Sequence, residues 1–343
     1  MRLAARSVLG HGPKGTYETS ASLLRGHTWV HDTGMSSEPT ALPTVYAVIL
    51  NWHGAQATIE CLEAFSQLEY ANKHVIVVDN GSTDGSPQAI AEAWPEVEIL
   101  QTGRNLGYGG GNNAGIRAAL AAGADFVWIV NNDTVFSPDV LTELVLAAQR
   151  NPSAGLITPK ILYRNRPGLI ECAGGSFNPW WAKVTRFGAE EVDKGQHDQE
   201  KNVSFASGCS LLIRRQLLEA IDSFDERYFM YWEDVDYSVR AADAGWELLY
   251  APRAVVFHTS GGSSDEPGGM SALFLHYNTR NYIWYLRRNM RGLHLALAVA
   301  YALGYFAHCG LATVIGKSAR KKAKLQAIAV GIWEGVRDPR AKA

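Results

Sequence analysis

Cysteine is scarce in this chain of 343 residues: Cys61, Cys172, Cys209 and Cys309 are its four thiols, and they lie far apart. None has metal-ligand spacing, which sets aside a zinc module and fits free thiols in a reducing compartment. A dominant charge is also missing. The formal net charge is −2, so nothing in the balance argues for nucleic acid. No low-complexity run occurs, and the start, "MRLAARSVLGHGPKG", has basic residues but no apolar core of sufficient length for a secretory signal. Residues 1–43 lack sustained periodicity and read as a disordered extension; Met35 opens "MSSEPTALPTVYAVILNWHG", a plausible true start. What charge there is separates along the chain. Residues 287–343 hold 11 Lys/Arg against 2 Asp/Glu, so an acidic body precedes a basic tail suited to anionic headgroups or an acidic partner.

From Thr44 the pattern turns regular. "TVYAVIL" is an apolar run of strand length, and "ATIECLEAFSQL" repeats its apolar residues with helical spacing. "HVIVVD" is a second strand, "SPQAIAEAW" a helix with Ser86 as cap, "VEIL" a short strand, "NNAGIRAALAAG" a helix and "DFVWIV" a fourth strand. Strands alternating with helices predict an α/β fold around a mostly parallel sheet, whose ligands bind at the carboxyl ends of the strands. Those ends are polar: Asn51-Trp52, Asp79-Asn80, Arg104-Asn105 and Asn131-Asn132-Asp133. Farther on, "NVSFASGCSLLIRR" reads as a strand leading into a helix, and "SVRAADAG" as a helix closed by Gly245.

Each polar group at this rim has a plain reading beside a chemical one. Asp79 either closes an acidic turn or reads a base or ribose. The glycines of "GRNLGYGGGNNAG" permit close backbone approach to an anion, with Arg104 as a phosphate fork, although the loop is neither the dinucleotide fingerprint nor the P-loop. Asp133 is a hard oxygen ligand for Mg²⁺ or Mn²⁺, and His258, ending "AVVFH", is either its companion or a satisfied structural group. In "FMYWEDVD" three acids follow four apolar residues; they form a solvated loop, or one of them has its pKa raised for general-base work.

Taken together, "VILNWHG", "VVDNGSTDGS", "GRNLGYGGGNNAGI", "NNDTVF", "ASGCSLLIRR", "FDERYFMYWEDVDYSVRAADAG", "FHTSGGS" and "YNTRNYIWYLRRN" resemble glycosyltransferase family 2, in the subgroup with bacterial rhamnosyltransferases of cell-wall and O-antigen assembly. The resemblance covers about 44–290. It implies a GT-A fold with a nucleotide-binding half and an acceptor-binding half, and transfer from a nucleoside diphosphate sugar with inversion. The first expectation for the donor is dTDP-rhamnose, otherwise a UDP-sugar, and for the acceptor a lipid-linked or polysaccharide hydroxyl. Asp79 would bond the base with Trp52 near it, and Arg104 would face the diphosphate. Asn132 would join the nucleotide-sugar contacts, Asp133 and His258 would hold Mg²⁺ or Mn²⁺, and Asp234 would be the catalytic base. Asp236 and Arg240 read as a structural pair. The sequence departs from the family pattern where Asn131 and Asn132 replace the earlier acids of the metal motif, so metal affinity without nucleotide should be weak. A nucleotidyltransferase, and a non-catalytic module binding nucleotide sugars or glycans, are the alternatives; "NWHGAQAT" after the first strand lacks the loop of the former.

The tail, 291–343, reads as helical and basic. Gly292 to Gly316 contains no Asp, Glu, Lys or Arg; as a helix these residues would reach about 37 Å, enough to cross a bilayer. Its alanines, histidines and tyrosines, with "KSARKKAK" following, favour a helix lying in the membrane interface over a buried helix or a span. The enzyme would then be cytoplasmic and peripheral to the inner face of the membrane.

Overall fold

A computed structural model of the chain describes residues 42–259, 265–266, 269–315 and 320–337. Nearly all of the anticipated N-terminal extension, with Met35, lies outside these residues, as does part of the basic cluster after Ile315. Four parallel strands open the sheet: β1 (Val45–Asn51), β2 (Lys73–Asp79), β3 (Glu98–Gln101) and β4 (Phe126–Asn131). Register aligns their ends. Asn51 pairs with Asp79, Leu50 with Asn131 and Asp79 with Gln101, so the anticipated polar rim forms along one edge. Between the strands run α1 (Ala55–Ser66), α2 (Ser86–Ala93) and α3 (Gly107–Ala121). Cys61, Leu62 and Phe65 of α1 and Ile90 of α2 cover one face, while Ile116 and Ala119 of α3 cover the other. Burial on both sides explains why β4 is apolar at every position before its last.

Next come β5 (Thr134–Phe136), α4 (Val140–Arg150), β6 (Ala154–Tyr163), β7 (Ile170–Cys172) and a hairpin of β8 (Gly175–Asn178) with β9 (Lys183–Arg186). After β10 (Lys201–Val203), β11 (Ser210–Arg214) and α5 (Arg215–Ile221), α6 (Glu233–Asp243) leads into β12 (Glu247–His258). The sheet order is β3-β2-β1-β4-β11-β6-β12-β10. β11 is antiparallel to both neighbours, β6 and β12 are parallel, and β5 and β7 pair off the main path with β12 and β6. Three helices finish the described chain: α7 (Ala272–Asn289), α8 (Gly292–Ile315) and α9 (Lys321–Arg337). They share a core with Trp232 and Val235 beside α6, in which Leu275, Tyr282, Ala298, Phe306 and Ile328 are buried.

Three local expectations need correction. Ser86 lies inside α2 rather than capping it: Gly85 takes the cap with φ 82°, and the Ser86 hydroxyl donates to Asp84 at 2.6 Å. "NVSFASGCSLLIRR" is two strands, because residues 204–209 leave the sheet between β10 and β11. Gly107, Gly109, Gly110 and Gly111 of "GRNLGYGGGNNAG" belong to α3 itself rather than to the loop before it, and they pack against protein. A Cβ on Gly111 would meet Leu50 at 2.4 Å, and one on Gly107, whose φ is 77°, would meet the Phe229 carbonyl at 2.3 Å.

Candidate active site

Strand crossing builds the first part of the site. The chain leaves β4 at Asn131, turns, and re-enters the sheet as β5, which pairs antiparallel with the end of β12. His258 therefore falls opposite Thr134, one residue beyond Asp133. Its Nε2 lies 3.2 Å from Asp133 Oδ1, while its Nδ1 lies 2.8 Å from Glu171 Oε2 on β7. Burial alone would depress the His258 pKa, but Cys209, Asp133 and Glu171 outweigh it and hold the pKa above its ordinary value. Glu171 is only 7% exposed and meets Arg186 as well, at 3.7 Å.

These residues can hold a divalent cation in place of the proton on His258 Nε2. A carboxylate oxygen and an imidazole nitrogen converge, the ring is oriented from behind by a second carboxylate, and both line a cleft of about 1060 Å³. No group of three or more His, Cys, Asp or Glu that could hold a metal occurs among the described residues, so remaining ligands must come from elsewhere.

Asp234 lines the same cleft, in the first turn of α6. Its Oδ2 accepts from the Gly208 N–H at 3.2 Å, and Oδ1 from the Val235 N–H at 2.8 Å. Burial raises its pKa above the ordinary aspartate value, against those two bonds. Glu233 beside it is pushed well above the usual range by burial and then by the Asp234 charge, and its buried Oε2 has no hydrogen-bond partner. The approach to this turn is strained: Phe229, Tyr231 and Trp232 all have positive φ, at 65°, 65° and 75°. Left-handed backbone at non-glycine residues costs about 1–3 kcal/mol each and persists only where surroundings impose it. The acids of "WEDVD" are thus a helix start, not a solvated loop. Asp236 and Arg240 pair at 2.7 Å, as expected.

The expected nucleotide residues sit on the neighbouring rim, outside the lining of that cleft. Trp52 is 43% exposed and stacks on His53 at 4.8 Å between ring centroids. Arg104 is exposed on the loop after β3. Asp79 is 2% exposed and accepts from Asn51 at 2.8 Å and from the Ser82 N–H at 3.0 Å, leaving lone pairs on both oxygens. Asn132 donates to Thr58 at 3.0 Å and to the Gly54 carbonyl at 3.4 Å, which spends its amide on the start of α1. Asp133, His258 and Asp234 are therefore together, and Trp52, Asp79 and Arg104 border them as a separate patch. Sequence reasoning missed Glu171. Its one signal is an acid inside the apolar run "GLIECAGG".

Comparison with known proteins bears on the family and the fold. Residues 43–282 match the family model described as "Glycosyltransferase like family 2". An N-acetylglucosaminyl-diphospho-decaprenol L-rhamnosyltransferase of Mycobacterium tuberculosis is 33% identical over 283 residues, covering 73% of this chain and 87% of that protein. A dTDP-rhamnosyl transferase of Shigella flexneri is 23% identical, over 74% and 83%. Among solved structures, a mannosyltransferase from Pyrobaculum calidifontis in complex with GDP-Man and Mn²⁺ superimposes with TM-score 0.53 at 17% identity, covering 88% of this chain and 89% of that one. Residues 1–349 of S. aureus TarS in complex with UDP-GlcNAc give 0.55 at 16%, over 85% and 81%. At these identities the two structures bear on the fold alone, which is GT-A.

Proposed function

The chain belongs to glycosyltransferase family 2, and from that membership we propose that it transfers L-rhamnose from its dTDP form to a lipid-linked acceptor sugar. The observation that carries the reading is one cleft holding both the Asp133–His258 pair and Asp234. The family inverts, so the acceptor oxygen attacks the anomeric carbon opposite the departing diphosphate. Asp234 takes the acceptor proton as the new C–O bond forms and the bond to phosphate breaks. Its raised pKa makes it a better base than an ordinary aspartate. Asp133 and His258, steadied by Glu171, would hold Mg²⁺ or Mn²⁺. Such an ion supplies charge compensation to the leaving diphosphate. Asp79, Trp52 and Arg104 take the base and diphosphate, and Asn132 contributes through its carbonyl oxygen. The donor follows the names of the two rhamnosyl-transferring relatives, and the acceptor that of the mycobacterial one.

The reading extends to a membrane surface. Among the described residues, α8 is the helix long and apolar enough to cross a bilayer by length and composition. One stripe of it, Ala298, Ala302, Phe306 and Cys309, packs inward. Leu293, Leu303, Leu311 and Ile315 face out, each at least 59% exposed. Trp180 and Trp181, between β8 and β9, join this face, with the Trp180 ring 3.9 Å from that of His294. A helix with one face committed to protein and the other apolar, followed by Arg320, Lys321 and Lys322, suits the interface of the inner leaflet. Tyr301, Tyr305 and Lys183 line the cleft from these same elements, so an acceptor anchored in lipid would reach Asp234 without leaving the surface.

A thermal-shift panel tests the donor. With Mn²⁺ present, dTDP-rhamnose at about 100 times its dissociation constant adds about 2.7 kcal/mol. The shift should vanish in Asp133→Ala. A metal-dependent shift with a UDP-sugar instead would reassign the donor, and none with any nucleotide sugar would overturn the reading.

A further inference from the structure

We propose that Asn281, oriented by Arg280, is a positioning residue that sets the place of Asp234. The inference rests on the reading of Asp234 as base. Asn281 belongs to α7 and is wholly buried. Its Nδ2 lies 2.9, 2.7 and 2.8 Å from the carbonyl oxygens of Tyr228, Met230 and Tyr231. A single amide nitrogen, with two hydrogens, thus serves three acceptors that converge on it from one short stretch of backbone. The orientation of the amide is not free, because Asn281 Oδ1 accepts from Arg280 Nε at 2.9 Å. Arg280 is itself fixed between the rings of Tyr277 and Trp284, at 4.6 and 4.4 Å, and sends Nη2 to the Tyr228 carbonyl at 2.6 Å.

The remaining carbonyl of this stretch, that of Phe229, turns the opposite way and accepts from the Tyr108 N–H at 2.5 Å. Carbonyl dipoles drawn to one point repel one another unless a donor sits there. The alternation of directions is what the positive φ angles of Phe229, Tyr231 and Trp232 express. A third residue of α7 fixes the end of the stretch: Asn278 Oδ1 accepts from Trp232 Nε1 at 2.9 Å. Trp232 is the residue before α6, so the direction in which that helix leaves, and with it the placement of Asp234, is determined from α7. Neither Asn281 nor Arg280 lines the cleft, and their effect on chemistry passes through the backbone.

The test compares Asn281→Ser, Asp234→Asn and the double variant, each purified as the full chain and checked for folding by circular dichroism. The serine hydroxyl has one proton and cannot gather three carbonyls. We expect kcat to fall 10- to 100-fold, since misplacement by about 1 Å costs that much, with donor KM changed less than twofold. The double variant should be no slower than Asp234→Asn alone, because a residue acting through Asp234 has nothing left to position. Full kcat in Asn281→Ser, or losses that multiply, would overturn the proposal. Wild-type turnover by Asp234→Asn would instead sink the base reading, a distinguishable failure. If Asn281→Ser does not fold, Arg280→Lys decides by the same signature: it keeps the cation but loses the planar fork that gives Nε to Asn281 and Nη2 to the Tyr228 carbonyl.

Discussion

Burial raises the pKa of both adjacent acids at the start of α6, with different consequences. Glu233 has a folded pKa far above its unfolded one, so its contribution to stability is present below the unfolded pKa and is lost as pH rises. Glu233→Gln keeps the shape without the charge. It should therefore raise the melting temperature at pH 8 relative to wild type and gain nothing at pH 4.5; equal effects at both would contradict the assignment. Asp234 works deprotonated and its pKa is likewise raised. The acid limb of kcat should lie above the ordinary aspartate value of about 3.9, with activity rising through it as pH increases. Glu171→Gln leaves the hydrogen bond to His258 but removes the charge behind it; titration calorimetry should show donor binding with Mn²⁺ weakened about 10- to 100-fold. That Asp133, His258 and Asp234 share one cleft was legible in the sequence because each lies at or next to an element boundary beside recognisable neighbours. Glu171 and Asn281 were not, since their roles arise from contacts 87 and about 50 residues away in the chain.

At the scale of elements, the alternating pattern of strands and helices gave the parallel half of the sheet and its polar edge correctly. Periodicity could not reveal how α3 uses its glycines, because the reason lies on other elements. Gly111 and Gly115 let α3 approach β1: a Cβ on either would stand 2.4 Å from Leu50 or Val48. Gly115→Ala should cost about 1–3 kcal/mol by overpacking, read as a fall in the denaturant midpoint. Gly304, inside α8 with nothing near its missing Cβ, is the contrast. There alanine should be neutral or stabilising by up to about 1 kcal/mol. A loss at Gly304 comparable to that at Gly115 would contradict this account of the packing.

Across the whole molecule, the expected division at 290/291 falls inside a shared core rather than at a seam. Met290 and Tyr285 are buried with Ala298 and Phe306. α9 closes on α7 where Gly331 and Gly335 admit the backbone of His276 and Arg280. The C-terminal helices therefore support the backbone stretch that leads into α6 and Asp234, and the apolar outer face of α8 stays exposed. Flotation with vesicles containing anionic lipid should recover wild type, and the Trp180→Ser, Trp181→Ser double variant should be recovered several-fold less; equal recovery would remove the hairpin from the membrane face. The claim on which the rest depends is that one carboxylate in this cleft drives sugar transfer. The most direct measurement is the rate of product formation from dTDP-rhamnose and a polyprenyl diphosphate-linked N-acetylglucosamine, followed by mass spectrometry for wild type and Asp234→Asn. The account predicts rhamnosylated lipid from wild type and a rate lower by about 10²–10⁴-fold in the variant, with donor binding retained. Equal rates in the two proteins would contradict it.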